Sequence, residues 1–314
     1  MNLGSKYFTN LPLIEEKRMD IHHSVSKRIL TVFFIAIFLV AAAFIAGCKK
    51  NDSNPASTST TATLSDEATD AADAVSDALA SNNGGAMDQV NDVFEIAGGV
   101  GVGGGVLGKT SSDSLSVGKL YDTTSMAWII SVFKQKNTPL QPYYGIWTRE
   151  FWLQFRANGQ PQKFRKTNGA FADTIIHQLK GGTGYFWTPR LVHHLDSISS
   201  QWTASNTNTD TVTINGRYFW SGIDTIKAAA RLGRVLHHSI SMTFVDVKGP
   251  SGPRLVRSEK TSGTINVDYT ATVTLAGKEL YSITKSFTIV LGGGDATFSI
   301  NGLRFVADLA TGDH

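Results

Sequence analysis

The chain reads as a mainly β protein, a large antiparallel meander closed as a sandwich or curled into a half-barrel, preceded by a short α-helical region. Three observations predict this. Ile265, Val267, Tyr269, Ala271, Val273 and Leu275 alternate with Thr264, Asn266, Asp268, Thr270, Thr272 and Thr274, giving a strand with one apolar and one wet face. Four Asn-Gly pairs, at 158–159, 168–169, 215–216 and 301–302, supply the two positive-φ residues that tight hairpins require. Ahead of the strands, Leu64, Ala68, Ala71, Ala72, Val75, Ala78 and Leu79 recur at helical spacing.

Taken in order, residues 1–47 come first. Lys27-Arg28 precede an apolar run from Ile29 to Ile45, which ends in Ala46-Gly47-Cys48. This arrangement resembles the signal peptide of bacterial lipoproteins, with Met19 as an alternative start that leaves a signal of ordinary length. The resemblance implies cleavage before Cys48, a diacylglycerol on its sulfur and an acylated amino group, hence the membrane as a partner. Two or three acyl chains make a lasting anchor, because each buried methylene contributes about 0.8 kcal/mol. Lys49 is not the aspartate associated with inner-membrane retention, so the resemblance implies the outer membrane; Asn51-Asp52 is similar to surface-export tethers. The alternative is an uncleaved helix from Ile29 to Gly47, long enough to span a bilayer. The position of the chain's single cysteine favours the lipoprotein reading.

Residues 48–64 hold little that can be buried and read as the lipidated Cys48 and a flexible tether. Residues 65–97 read as the helical region, with Ser65 as N-cap, Asn82-Asn83-Gly84-Gly85 as a stop, and a second amphipathic stretch carrying Met87, Val90, Val93, Phe94 and Ile96. Both helices are thin in apolar bulk and need another surface to pack on. Residues 98–120 read as a Gly/Ser-rich hinge. Within it Gly103 to Thr110 fits the phosphate-loop pattern, but no helix signal follows and no α/β alternation surrounds it, so no nucleotide is expected. Residues 121–314 read as the antiparallel β domain. The C-terminal Asp313-His314 lacks the terminal aromatic of outer-membrane barrels.

Charge divides the chain. Residues 51–100 contain nine acidic side chains and no Lys or Arg, whereas residues 101–314 contain 22 basic and 14 acidic ones. The two parts are therefore expected to attract each other. No compact basic stripe points to nucleic acid, and with Cys48 lipidated no disulfide is available.

Candidate chemistry is sparse. His193-His194 and His237-His238 form two pairs, but neighbours on a strand face opposite ways, so each pair offers one imidazole per face. Asp196 and Asp246 stand at no recognisable spacing. No metal and no cofactor is expected, and no nucleophile elbow or other catalytic residue is found. All six tryptophans fall between Trp128 and Trp220. On one strand Trp147 shares a face with Phe151, Leu153 and Phe155, interrupted by Gly145 and Arg149; Trp152 faces the other way. Trp152 and Tyr144 are the candidate ligand-contacting residues. The expectation is a lipid-anchored envelope protein that binds or scaffolds a glycan, a lipid or an envelope protein and is not an enzyme. The alternatives are a lipid or lipoprotein carrier, with the hollow of a curled sheet lidded by the helices, and third a glycan-acting enzyme.

Overall fold

Residues 64–99, 114–252 and 258–314 are described by the computed structural model. The signal, Cys48, the tether and the phosphate-loop match lie outside the described residues. Two helices, α1 (Leu64–Leu79) and α2 (Ala86–Ala97), are joined by a 3₁₀ turn over Ser81–Asn83. Among the described residues no helix is long and apolar enough to cross a membrane.

The strands are β1 (Ser114–Asp122), β2 (Ala127–Lys136), β3 (Tyr144–Ala157), β4 (Gln160–Gln162), β5 (Lys166–Thr167), β6 (Ala170–Phe171), β7 (Thr174–Trp187), β8 (Leu191–Ser205), β9 (Thr211–Ile226), β10 (Arg234–Pro250), β11 (Ser262–Leu275), β12 (Lys278–Gly292), β13 (Asp295–Ile300) and β14 (Leu303–Asp308). One antiparallel sheet runs β1-β2-β3-β7-β8-β9-β10-β11-β12-β13-β14, with β4 against β3, and β5 and β6 form a separate ribbon. Strand order follows chain order, which makes the sheet a meander. It stays open between β1 and β14.

Three Asn-Gly pairs make the expected hairpin turns, with positive φ at both residues of 158–159, 168–169 and 301–302. Asn215-Gly216 does not. It lies inside β9, where Asn215 Oδ1 accepts from the backbone N–H of Asp246 at 2.9 Å, across the register shift that separates Phe244 from Val247. The pair braces a bulge in the neighbouring strand, an alternative use of the same backbone freedom. A second departure is the start of the sheet. β1 begins at Ser114, inside the segment read as hinge, because Leu115 and Val117 pack against the core between serines that disguise the alternation.

The helices sit in the hollow of the sheet. Lys134 of β2 and Arg149 of β3 pair with Asp88 of α2, while on α1 Asp70 accepts from Tyr281 of β12, and the chain beyond β14 accepts from Ser81 and Asn82. Nine inter-strand steps separate β2 from β14, about 43 Å if flat at roughly 4.8 Å each. A pair of helices about 10–12 Å across each touches both ends only if the sheet curls around them. Accordingly α1 is buried from Asp70 through Leu79 and α2 on nearly every side. The alanines of α1 keep it slim enough to enter.

Six acidic side chains enter with the helices, and the sheet meets several of them with cations. Asp70 pairs with Arg231 and Arg234, Asp73 with Arg231 at 2.8 Å, Asp77 with Arg190, Asp88 with Lys134 at 2.9 Å and Arg149 at 2.8 Å, and Asp92 with Lys134 at 3.3 Å. The charge asymmetry along the chain is thus satisfied inside the fold. Arg149, which interrupts an apolar face, does so because Asp88 lies opposite. Glycines make room for aromatic rings at the same interface: a Cβ on Gly145 would lie 2.5 Å from the Trp147 ring.

Candidate functional site

Two groupings of side chains stand out, one on each face of the sheet. On the inward face, alternation brings His193 of β8, Asp224 of β9 and His238 of β10 together, all buried. His193 stands directly opposite Asp224, and His238 stands opposite Gly222, one inward position along. A Cβ on Gly222 would lie 2.5 Å from His193 Cε1, so only glycine lets the His193 ring lean across toward His238. The ring centroids of the two histidines are 5.6 Å apart.

Asp224 lies between them. His193 Nδ1 is 2.6 Å from Oδ1, and since a carboxylate only accepts, Nδ1 donates. His238 Nε2 is 2.9 Å from Oδ2, but off the direction of its N–H, so the contact is electrostatic without being an aligned hydrogen bond. Burial works against the Asp224 charge, yet His238 and His193 outweigh it and hold the carboxyl well below the usual range. Burial also pushes His193 toward its neutral form in spite of Asp224. Phe186 and Trp220 both stack against His193, at 4.7 and 4.9 Å, and lie 6.4 Å from each other.

The histidine pairs split across the sheet as alternation requires: His193 and His238 point inward, while His194 and His237 are exposed. Asp196 lines a groove with His237 and His238 but is not part of the buried cluster, and Asp246 belongs to neither. The carboxylate that joins the inward histidines, Asp224, was missed by sequence reasoning. Its signal was available, because it interrupts the inward series Tyr218, Trp220, Gly222 and Ile226 with a charge, as Arg149 does on β3.

On the outward face, Tyr144 of β3 meets Tyr185 and Trp187 of β7. Ring centroids are 4.5 Å apart for Tyr144 and Trp187, and 5.6 Å for Tyr185 and Trp187. Exposed His194 packs on Tyr185 at 4.6 Å. Trp187 Nε1 donates to the Gln141 carbonyl at 3.0 Å, fixing the ring beneath the β2–β3 loop, whose Leu140 is 95% exposed. Beside Tyr144 opens a cleft of about 140 Å³, lined among others by Asn82, Asn83, Lys136, Asn137 and Tyr143. Tyr144 brings the ring cluster to this cleft, whose polar groups are held in place by hydrogen bonds: Lys136 Nζ donates to Asn82 Oδ1 at 2.6 Å, Asn137 Nδ2 to the Tyr143 carbonyl at 2.9 Å, and the Tyr143 hydroxyl to Asp313 at 3.0 Å.

The second candidate, Trp152, is not part of this cluster. It shares the outward parity of Tyr144 but lies eight residues along β3, about 26 Å away at roughly 3.3 Å per residue. Lys180, the extra residue of the bulge in β7, covers its ring at 4.4 Å. Trp147 and Phe151 are buried on the inward face, as the alternation of β3 predicts.

No family model, no curated protein and no solved structure matches this chain.

Proposed function

We propose that the protein is a lipid-anchored cell-envelope binding module that recognises a glycan through the outward cluster of Tyr144, Tyr185 and Trp187. The observation that carries this reading is the cluster itself, three half-buried rings beside an amide-lined cleft. Sugar rings stack their C–H faces on aromatic rings while their hydroxyls pair with amides, so this is the chemistry a glycan site uses. The hollow, which a carrier needs for its cargo, is filled by the chain's own α1 and α2. Three outer grooves hold one carboxylate each, Glu150, Asp196 and Asp268. Hydrolysis of a glycosidic bond ordinarily uses a pair, so the reading is one of binding without turnover.

Glycan-array binding tests the recognition half. Trp187→Ala and Tyr144→Ala are expected to abolish it without loss of fold, whereas Trp152→Ala leaves it intact; binding that survives both of the first two substitutions would exclude this cluster. The anchor half rests on Cys48. Metabolic labelling with a fatty-acid analogue is expected to mark the wild type and not Cys48→Ser, and an unlabelled wild type rejects the anchor.

A further inference from the structure

We propose that His193, Asp224 and His238 form a binding site for a divalent transition metal of the zinc class. Two imidazoles and one carboxylate are a ligand set that suits zinc and its first-row neighbours. The donor atoms of the three residues all lie within 4.8 Å of one another. Two ligands of a tetrahedral ion at about 2.1 Å stand roughly 3.4 Å apart, so a coordination sphere forms when the two His–Asp spacings, 2.6 and 2.9 Å, open by less than about 1 Å and the His–His spacing, within 4.8 Å, closes by at most about 1.4 Å. Binding replaces the His193 Nδ1 proton, which leaves to solvent.

Three features favour an ion over a purely hydrogen-bonded cluster. First, neither imidazole is committed elsewhere: His193 Nε2 and both nitrogens of His238 lack a hydrogen-bond partner among the described residues. Of these, His238 Nε2 is the one that faces the shared carboxylate, 2.9 Å from Oδ2 without an aligned hydrogen bond, and His193 Nδ1 faces the same carboxylate at 2.6 Å, so the two nitrogens that an ion would take converge on one group. Second, the cluster sits against aromatic rings, Phe186 and Trp220 beside His193 and Tyr269 beside His238, the kind of apolar shell that limits solvent access around a metal centre. Third, there is a way in. A groove of about 430 Å³ on the sheet is lined by Asp196, Gly222, His237 and His238, and the bulge at Asp196 together with the missing side chain of Gly222 thins the wall at that point.

The site ties three adjacent central strands, β8, β9 and β10, at their inward face, and its three protein ligands leave a fourth position for water. This departs from the expectation of no metal drawn from the sequence, because that expectation lacked Asp224.

Cobalt(II) titration of the chelator-treated full chain tests the proposal. The expected result is visible ligand-field absorption that saturates at one equivalent and is displaced by zinc. His193→Ala, His238→Ala and Asp224→Asn should each lose it, while the outward His194→Ala and His237→Ala keep it. If the inward variants do not fold, the wild type alone decides: zinc should raise its Tm by several degrees and chelator should reverse the gain. Absence of stoichiometric absorption in folded wild type, a Tm indifferent to zinc, or absorption lost only in the His194 or His237 variant would overturn the site.

Discussion

Arg149 and Asp88 form a buried ion pair 2.8 Å long, joining the inward face of β3 to α2. Lys134 reaches the same carboxylate from β2 at 2.9 Å, so one aspartate holds the helix to two strands. Removing one partner of a buried pair costs about 3–5 kcal/mol, because the remaining charge loses its compensation. Arg149→Met is expected near the lower end, since Lys134 remains beside Asp88. In a double-mutant cycle with Asp88→Leu, measured by urea unfolding, the coupling should exceed about 1 kcal/mol. Additive losses would mean that the pair contributes nothing to the docking of the helix.

The two faces of β3 predict unequal costs. Trp147 is 6% exposed and packs against glycines, whereas Trp152 lies outward under Lys180. Trp147→Ala should cost about 3–5 kcal/mol through the cavity it leaves, and Trp152→Ala much less. Thermal unfolding of the two variants compares them directly, and equal losses would contradict the assignment of faces.

Phe94 of α2 lies against the backbone of β10 at Gly249, where a Cβ would come within 2.3 Å of its ring. Gly249→Ala is therefore expected to destabilise by about 1–3 kcal/mol through overpacking. Adding Phe94→Leu, which withdraws the ring edge, should return part of that loss. If the double variant is less stable than the sum of the singles, close ring contact is not the cause.

His177 gives stability a dependence on pH. Burial, with the Arg149 charge second, lowers its pKa from 6.5 to about 3. The unfolded chain therefore binds the proton more readily than the folded one. The stability tied to neutral His177 is fully present above pH 6.5 and is lost as pH falls from there toward about 3, at up to about 1.4 kcal/mol per unit. His177→Gln should flatten the decline in urea midpoint between pH 7 and pH 4 by one proton's worth. Parallel profiles for wild type and variant would show that His177 does not titrate with unfolding.

Much of the architecture is a local property of the chain. Alternation along 264–275 and along β3 reads directly because strand side chains have a period of two and one side of this sheet is packed while the other is wet. The helices at 64–79 and 86–97 read from their own periodicity and from the glycines between them. The opposite charges of the two parts are visible as composition. Asn215-Gly216 marks where such reading stops, since the same dipeptide turns a hairpin or braces a bulge according to which strand lies beside it.

Pairings between distant residues belong to the tertiary structure. Nothing near position 149 indicates Asp88, and nothing near position 224 indicates two histidines on the flanking strands; curling of the sheet and strand register bring them together. Tyr144 and Trp152 look equivalent along the chain, sharing one strand and one face. They differ because Tyr185 and Trp187 stand beside the first and Lys180 covers the second. A sequence determines which face of a strand each side chain occupies, because that is set residue by residue; what lies across from it depends on register and curvature, which only the packing of the whole sheet around its two helices decides.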